Sequence, residues 1–292
     1  MAFSPKGEYL FCGNTFEVQV WRVEDGKRVA TMSTTGVLSL AVSEDGKWLA
    51  AGTFNGVYVW DTSTHEQVLK VDNGSVFDVD FSPDASRLVC VVPLNSVASI
   101  WDLGTHKRVQ TLPHKHGVFA AKYSPEGDRI ATTAHGSARV YDSSNGNLLV
   151  DINVEVDSCL NGGSLLWFNG HLLVVSDRNI ARIEIPTGTV VSKWLAPNLN
   201  PSGHIHIAQP SHGEFIICSA DKTVSFWDTA TYTRIGLSEQ NESITSIAVS
   251  PDTGFLAIGC DSGVTFTSLS HITVRTVSIQ FVLVRNFIDI PC

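Results

Sequence analysis

The sequence predicts an all-β fold assembled from seven copies of one unit about 40 residues long. Two short motifs recur in phase along the chain, one built on an aromatic residue and the other on a Ser-Pro turn. Apolar runs separated by turns follow one another roughly every 8–12 residues, without the 3.6-residue periodicity of an amphipathic helix. These observations favour one repeat domain over two unrelated domains, although a length of 292 residues permits either.

The first motif is an aromatic residue that is followed in most copies by aspartate. It occurs at Trp60-Asp61, Trp101-Asp102, Tyr141-Asp142 and Trp227-Asp228, and Trp21-Arg22 occupies the same place upstream. The aromatic residues of the first four copies lie 39, 41 and 40 positions apart. The gap of 86 positions before the last pair holds one degenerate copy at 181–185, and a seventh copy at 261–268 has Thr267 in the aromatic place. We expect the aspartates to cap local turns and the aromatic side chains to pack between units.

The second motif is a turn that combines Ser, usually Pro, a charged residue and, in most copies, Gly. It begins at Ser4, Ser43, Ser82, Ser124 and Ser250, each time just before an apolar run. Pro fixes φ, Ser or Asp caps its own backbone, and Gly accepts a positive φ. The motif therefore predicts a tight turn between two strands in each unit.

Composition narrows the functional classes. Hydrophobic residues make up 43% of the chain and charged residues 17%, which excludes a disordered chain. The formal net charge is −9, so the chain lacks the surplus of Lys and Arg that neutralises a nucleic-acid backbone. Residues 1–7 show no signal-peptide pattern, and no apolar run approaches the roughly 20 residues of a membrane span. We expect an intracellular protein, cytoplasmic or nuclear, with neither a nucleic-acid nor a membrane partner.

Motifs that carry chemistry are sparse. The sequence has no Gly-x-Ser-x-Gly elbow and no phosphate-binding loop. Cys12, Cys90, Cys218 and Cys260 fall in the same apolar strand of four different units, where a small buried hydrophobe is expected instead of a disulfide. The pairs His204-x-His206 and His114-x-His116 lack the third and fourth ligands that zinc requires. We expect no metal and no cofactor.

On the two phased motifs, nearly the whole chain resembles the WD-repeat family, whose units each form one four-stranded blade. The resemblance implies a single seven-bladed β-propeller of four-stranded antiparallel blades over residues 1–292. The repeats fall at about 1–32, 33–71, 72–112, 113–152, 153–195, 196–237 and 238–277. The resemblance also implies a non-enzymatic scaffold that binds a protein or peptide partner on its narrow top face. Such a scaffold would be a monomer or a subunit of a complex.

Carried over position by position, the resemblance places candidate partner contacts in the top-face loops and turns. The candidates are Phe54, Asn95, His116, His135, Arg178 and Lys222. Two alternatives stay open. One is a propeller enzyme or a small-ligand or metal binder that uses the two histidine pairs, and the other is a truncated propeller that is part of a larger protein.

Two features depart from the family pattern. The hydrogen-bond network that joins Trp, Ser or Thr, Asp and His in well-formed repeats is approached only by Ser219, Asp221 and Trp227, so we expect apolar packing to dominate. The first repeat lacks most of its inner strand, whereas 272–277 and 279–284 have the pattern of two extra strands. We expect the former to complete blade seven and the latter, within 278–292, to close the ring as the inner strand of blade one. The alternative is an unnatural start at Met1 and an aberrant C-terminal extension.

Overall fold

The computed structural model describes residues 1–72, 74–153, 165–176, 179–185, 187–195, 205–210, 215–252 and 254–269. Within these ranges the chain forms 27 strands and one short 3-10 helix. The strands lie in seven antiparallel sheets, six with four strands and the last with three described strands. The predicted all-β, seven-bladed propeller is confirmed.

The strands follow one another in chain order within each blade. Blade one contains β1 (Ala2–Phe3), β2 (Tyr9–Gly13), β3 (Glu17–Arg22) and β4 (Lys27–Ser33). Blade two contains β5 (Val37–Val42), β6 (Trp48–Thr53), β7 (Gly56–Asp61) and β8 (Gln67–Val71). Blade three contains β9 (Asp78–Phe81), β10 (Arg87–Val92), the 3-10 helix Pro93–Asn95, β11 (Val97–Asp102) and β12 (Lys107–Pro113). Blade four contains β13 (Val118–Tyr123), β14 (Arg129–Ala134), β15 (Ser137–Asp142) and β16 (Leu148–Asn153). Blade five contains β17 (Leu165–Phe168), β18 (His171–Ser176), β19 (Asn179–Glu184) and β20 (Val190–Leu195). Blade six contains β21 (Ile205–Ala208), β22 (Phe215–Ala220), β23 (Thr223–Asp228) and β24 (Arg234–Glu239). Blade seven contains the described strands β25 (Ile244–Val249), β26 (Phe255–Cys260) and β27 (Gly263–Ser268).

The first strand of each blade lies innermost, next to the first strands of the two neighbouring blades. The ring closes where β1 contacts β25. There the N-terminal ammonium group donates a hydrogen bond to Ser246 Oγ at 3.1 Å, and the rings of Phe3 and Phe266 pack edge to face. The inner strand of blade one is only two residues long, as the sequence predicts. The strands predicted at 272–277 and 279–284, including the closing strand or tail of 278–292, lie outside the described residues.

The hydrophobic core consists of apolar layers between successive blades. The recurring aromatic residues belong to it: Trp21, Trp60, Tyr141 and Trp227 are buried, and Trp101 is partly buried. One layer contains Phe11 of blade one together with Trp60 of blade two, and another contains Trp194 of blade five together with Trp227 of blade six. Each blade therefore buries its apolar face against a neighbour.

The Ser-Pro motif forms the turn between the first and second strands. In blade three, Ser82 Oγ accepts a hydrogen bond from Arg87 N at 2.9 Å and donates one to Asp84 Oδ1 at 2.5 Å. The same serine geometry recurs at Ser43 and Ser250. These turns also contact one another, since a Cβ atom added to Gly127, which has φ +75°, would lie 3.3 Å from the Pro83 ring of the preceding blade.

The aspartate of the aromatic motif caps the turn between the third and fourth strands. Asp61 Oδ1 accepts hydrogen bonds from the Ser63 hydroxyl at 2.6 Å and from the Ser63 and Thr64 backbone N–H groups at 2.8 and 3.0 Å. These bonds, the Ser63 hydroxyl first, lower the pKa of Asp61 to about 2. The same capping occurs at Asp102, Asp142 and Asp228. The predicted turn-capping role is confirmed.

The four cysteines singled out in the sequence lie in the second strands of blades one, three, six and seven. Cys90 and Cys218 are buried free thiols. Burial raises the pKa of each of these two thiols to about 12, and only the thiolate is a strong nucleophile.

We expect Cys90 and Cys218 to resist iodoacetamide at pH 8 in the folded protein and to react fully in urea. The measurement is peptide-resolved mass spectrometry after timed alkylation, with reduced glutathione as the control for a freely reacting thiol. Alkylation of either folded-state cysteine at the glutathione rate would contradict the buried strand position.

Candidate functional site

The top face is defined here as the edge of the ring that carries two kinds of connection. One is the turn between the second and third strands of a blade, and the other is the loop from the outer strand to the next inner strand. Described turns of the first kind lie at 14–16, 54–55, 93–96, 135–136, 221–222 and 261–262, and described loops of the second kind include 34–36 and 114–117. All candidate contacts predicted from the sequence lie on these connections or outside the described residues.

Phe54 lies in the turn between β6 and β7 and is 54% exposed. Its ring rests on Gly36, where a Cβ atom would overlap the ring and where φ is +58°, a backbone conformation that favours glycine. The Phe54 backbone N–H donates to Gly36 O at 3.1 Å, and Asn55 Nδ2 donates to Thr35 Oγ1 at 3.0 Å. The aromatic ring is thus held in place while half of it faces solvent.

Asn95 is exposed at the end of the 3-10 helix Pro93–Asn95. The preceding residue, Leu94, is 90% exposed. This turn packs against the loop that enters blade four, because a Cβ atom on Gly117 would lie 3.0 Å from Pro93 O and because His114 N donates to Ser96 O at 2.9 Å. The exposed tip of blade three therefore adjoins the entry loop of blade four.

His116 and His135 are both exposed and are the two candidates that the fold brings together. Their ring centroids lie 6.3 Å apart at an interplanar angle of 75°. His114, by contrast, packs beneath the surface against Tyr141, with ring centroids 5.6 Å apart. Burial and the nearby Arg139 lower the pKa of His114 to about 4, which keeps this imidazole neutral. The His114-x-His116 pair therefore does not converge on one ligand.

Lys222 is exposed in the turn between β22 and β23 of blade six, where its Nζ donates to Asn241 O at 3.1 Å. It lies across the ring from Phe54 of blade two. The candidate Arg178 lies outside the described residues, as do His204 and His212. The candidates thus occupy several blades, with one close pair on blade four.

Two exposed apolar residues of the same face were missed by sequence reasoning. Phe16 is 77% exposed in the turn between β2 and β3, and Leu94 is 90% exposed. Together with Phe54 they occupy consecutive blades one, two and three, and we call these three side chains the apolar arc. A usable signal existed, since each lies five to seven residues before the recurring aromatic residue of its own repeat.

A central cavity of about 590 Å³ is lined by the inner strands of blades two to seven and, in blade one, by Met1, Cys12 and Gly13. His206 lies on its wall. No group of three or more His, Cys, Asp or Glu side chains suited to a metal ion occurs among the described residues. The described ranges also hold no helix with the length and apolar character that crossing a bilayer requires.

A polar cluster on this wall joins blades two, three and four. Lys122 Nζ lies 3.0 Å from Asp78 Oδ1 and 4.0 Å from Asp80 Oδ1. Ser39 Oγ donates to Asp78, and the carboxylates of Asp78 and Asp80 accept the Ala121 and Tyr123 backbone N–H groups at 3.2 and 2.8 Å. β13 pairs with β14 on one side only, so the backbone N–H groups on its other edge have no strand partner within the sheet. The two carboxylates accept hydrogen bonds from these N–H groups.

Burial raises the pKa of Asp80 to about 6, against the opposing effect of Lys122 and the Tyr123 N–H group. For Lys122, burial acts to lower the pKa, but the carboxylates of Asp78 and Asp80 outweigh it and raise the pKa. The cluster is therefore sensitive to the ionisation of Asp80.

The polar network expected in the sixth repeat does not join Ser219, Asp221 and Trp227. Trp227 Nε1 donates instead to Ser225 Oγ at 2.9 Å, and Asp221 Oδ1 accepts from Ser243 Oγ at 3.0 Å. Ser225 precedes Trp227 by two residues, so both side chains lie on the same side of β23. Trp21 makes the equivalent bond to Gln19 in blade one, at 3.0 Å.

The comparisons with known proteins agree with this architecture. The family described as "WD domain, G-beta repeat" matches residues 26–61, 106–142 and 197–228. The chain is 22% identical over 266 residues to the transcriptional corepressor LEUNIG_HOMOLOG of Arabidopsis thaliana. The aligned region covers 88% of this chain and 33% of the relative. The chain is also 26% identical over 280 residues to the intraflagellar transport protein 122 homolog of Xenopus tropicalis. This aligned region covers 90% of this chain and 22% of the relative. The chain thus spans about a third or less of the length of these two relatives.

Among solved structures, a chain of Kuenenia stuttgartiensis hydrazine synthase superposes with a TM-score of 0.82 at 16% identity. The match covers 92% of this chain and 94% of that chain. At this identity the likeness shows the fold alone.

We expect Asp80→Asn to gain stability relative to the wild type as the pH rises from about 4 to about 6. The folded protein holds the Asp80 proton up to a pH of about 6, whereas the unfolded chain releases it near 3.8, so wild-type stability falls over this interval. Asparagine does not titrate and still offers an oxygen to the Tyr123 N–H group. The expected change in the difference between the two free energies of unfolding is on the order of 2–3 kcal/mol.

Urea denaturation of both proteins at pH 4 and pH 7.5 measures this difference. Asp61→Asn is the control. The lowered pKa of Asp61 contributes stability that is lost only as the pH falls from about 4 towards 2, so the difference between this variant and the wild type is expected to stay nearly constant between pH 4 and pH 7.5. An Asp80→Asn difference that stays constant between the two pH values would contradict the assignment.

Proposed function

Because the chain belongs to the WD-repeat family of β-propellers, we propose that it is a non-enzymatic scaffold that binds a protein or peptide partner on its top face. Two relatives of the chain, a transcriptional corepressor and an intraflagellar transport protein, have names that refer to regulation and transport and to no reaction. A protein partner also suits the net charge of −9, which disfavours nucleic acid. We place the partner inside the cell, in the cytoplasm or nucleus.

The apolar arc is the observation that carries the proposal. Phe16, Phe54 and Leu94 expose 77%, 54% and 90% of their surface on three consecutive blades of one face. Isolated exposed apolar residues are ordinary, but large ones that recur at equivalent turns on one side mark an interaction surface. A partner that covered them would gain roughly 25 cal/mol for each Å² of apolar area removed from water.

The backbone that carries the arc is fixed before any partner arrives. Asn14 Oδ1 accepts the backbone N–H groups of Phe16 and Glu17 at 2.8 and 3.0 Å, and the Phe54 ring rests on Gly36. The strands on either side of each turn belong to four-stranded sheets. Binding would therefore cost little ordering entropy in this chain, which favours affinity for a given contact area.

We expect the triple substitution Phe16→Ser, Phe54→Ser and Leu94→Ser to weaken partner binding at least about 10-fold, since a few central residues dominate the energy of an interface and each costs more than about 1 kcal/mol when truncated. The test captures partners with the tagged wild-type chain, identifies them by quantitative mass spectrometry, and measures the affinity of the purified partner by calorimetry. Circular dichroism melts verify that each variant folds.

The matched control is Phe255→Ser. Phe255 is 41% exposed but begins β26 just after the Ser250 turn, at the opposite edge of the ring. Equal partner affinity in the wild type and the triple variant would refute the top-face assignment, as would an equal loss of affinity in Phe255→Ser.

A further inference from the structure

We propose that blade four carries a cleft that binds an anionic side chain, a carboxylate or a phosphate, of a partner peptide. The proposal rests on the proposed function and names the chemistry that the partner presents. The cleft has a volume of about 530 Å³ and opens on the top face. Its rim is formed by Lys115 and His116 of one loop and by His135 of the facing turn, and its base includes Arg139 and Asp151.

The charge inside the cleft is positive because its carboxylate is already paired. Arg139 Nε and Nη2 donate to the two oxygens of Asp151 at 3.1 and 3.0 Å, and Arg139 Nη1 donates to Pro113 O at 3.1 Å. This pair cancels in charge and is held in place. Asp151 is the only carboxylate among the described residues that line the cleft. What remains is the ammonium group of Lys115 and the two imidazoles.

These three rim groups have unused hydrogen-bond donors. Within the described ranges, the side chains of Lys115, His116 and His135 form no ion pair and no hydrogen bond, the two imidazole rings contact only each other edge to face, and all three residues are exposed. Lys222, the other lysine of the described top-face turns, already donates to a backbone carbonyl. An ammonium group and two facing imidazoles form a natural site for an anion.

The cleft adjoins the turn that holds Leu94 of the apolar arc. The turn that holds Leu94 packs on the loop 114–117, through the close approach of Pro93 O to Gly117 and the hydrogen bond from His114 N to Ser96 O. A bound segment that placed an apolar side chain over Leu94 would therefore bring a neighbouring side chain to His116 and His135. The geometry fits a peptide in which an apolar residue lies beside an acidic or phosphorylated one.

The experiment uses three fluorescent libraries of nine-residue peptides that share a fixed leucine. Two residues after the leucine the libraries carry phosphoserine, glutamate or glutamine, and the other positions are mixtures of uncharged residues. Fluorescence anisotropy with the full chain is expected to show at least 10-fold tighter binding of one or both anionic libraries than of the glutamine library. Binding of phosphoserine alone identifies a phosphorylated partner, and equal binding of glutamate identifies a carboxylate.

Lys115→Glu and the double variant His116→Ala, His135→Ala are expected to abolish the preference for the anionic libraries. Lys107→Glu is the matched control, since Lys107 is an exposed lysine at the opposite end of β12. The proposal is overturned if the wild type binds all three libraries equally or binds none, or if Lys107→Glu removes the preference as well.

The outcomes separate this inference from the proposed function. If the triple variant of the apolar arc loses the captured partner while Lys115→Glu binds it with wild-type affinity, the scaffold assignment stands and the anionic cleft is wrong. If Lys115→Glu loses the preference while the triple variant retains the captured partner, the cleft stands and the arc is not the docking surface.

Discussion

The constraint on which the rest of this structure depends is that no blade can bury its own apolar face. Each core layer combines side chains from two successive blades, as where Phe11 of blade one meets Trp60 of blade two and Trp194 of blade five meets Trp227 of blade six. Such an arrangement is stable only when every blade has a neighbour on both sides. The contact of β1 with β25, with Phe3 against Phe266, is therefore a requirement of the fold and not a local detail.

Packing within and between blades also positions the candidate contact residues. Phe54 is held on Gly36, which belongs to the loop that enters its own blade, and Pro93 of blade three lies against Gly117 at the entry of blade four. On the channel wall, Lys122 of blade four binds Asp78 of blade three. The turns that hold Phe54 and Leu94 are consequently held by packing against the neighbouring entry loops.

Sequence reasoning succeeded where the repeat imposes the same chemistry on every blade. A Ser-Pro turn or an aspartate after an aromatic residue has one local role, so its recurrence in phase indicates that role directly. Ser82 and Asp61 lie where the pattern placed them, and each accepts the backbone hydrogen bonds expected of it. The number of blades followed from the same spacing.

The contacts of the surface were less accessible to that reasoning, because they join residues that no period relates. His116 and His135 meet because the entry loop and a turn of blade four approach each other at its top edge. The distance between the loop and the turn depends on the register of β13 and β14. The buried hydrogen bond from Trp227 to Ser225 was missed for a different reason. The family pattern indicates Ser219 as the partner, whereas the two-residue period of β23 favours Ser225. Leu94 carries no turn signal of its own, whereas its neighbour Asn95 is a typical turn residue.

The two proposed surface features would have different roles in recognition. The apolar arc offers binding energy that depends on area and is non-directional, so it discriminates weakly among partners with exposed hydrophobic residues. The cleft at Lys115, His116 and His135 offers directional donors in a chain whose net charge is −9. An anionic partner is disfavoured over most of such a surface and favoured at this one place, where Arg139 and Asp151 leave the rim with an uncompensated positive charge. Attraction at one point and repulsion elsewhere would fix the register in which a partner peptide lies along Phe16, Phe54 and Leu94.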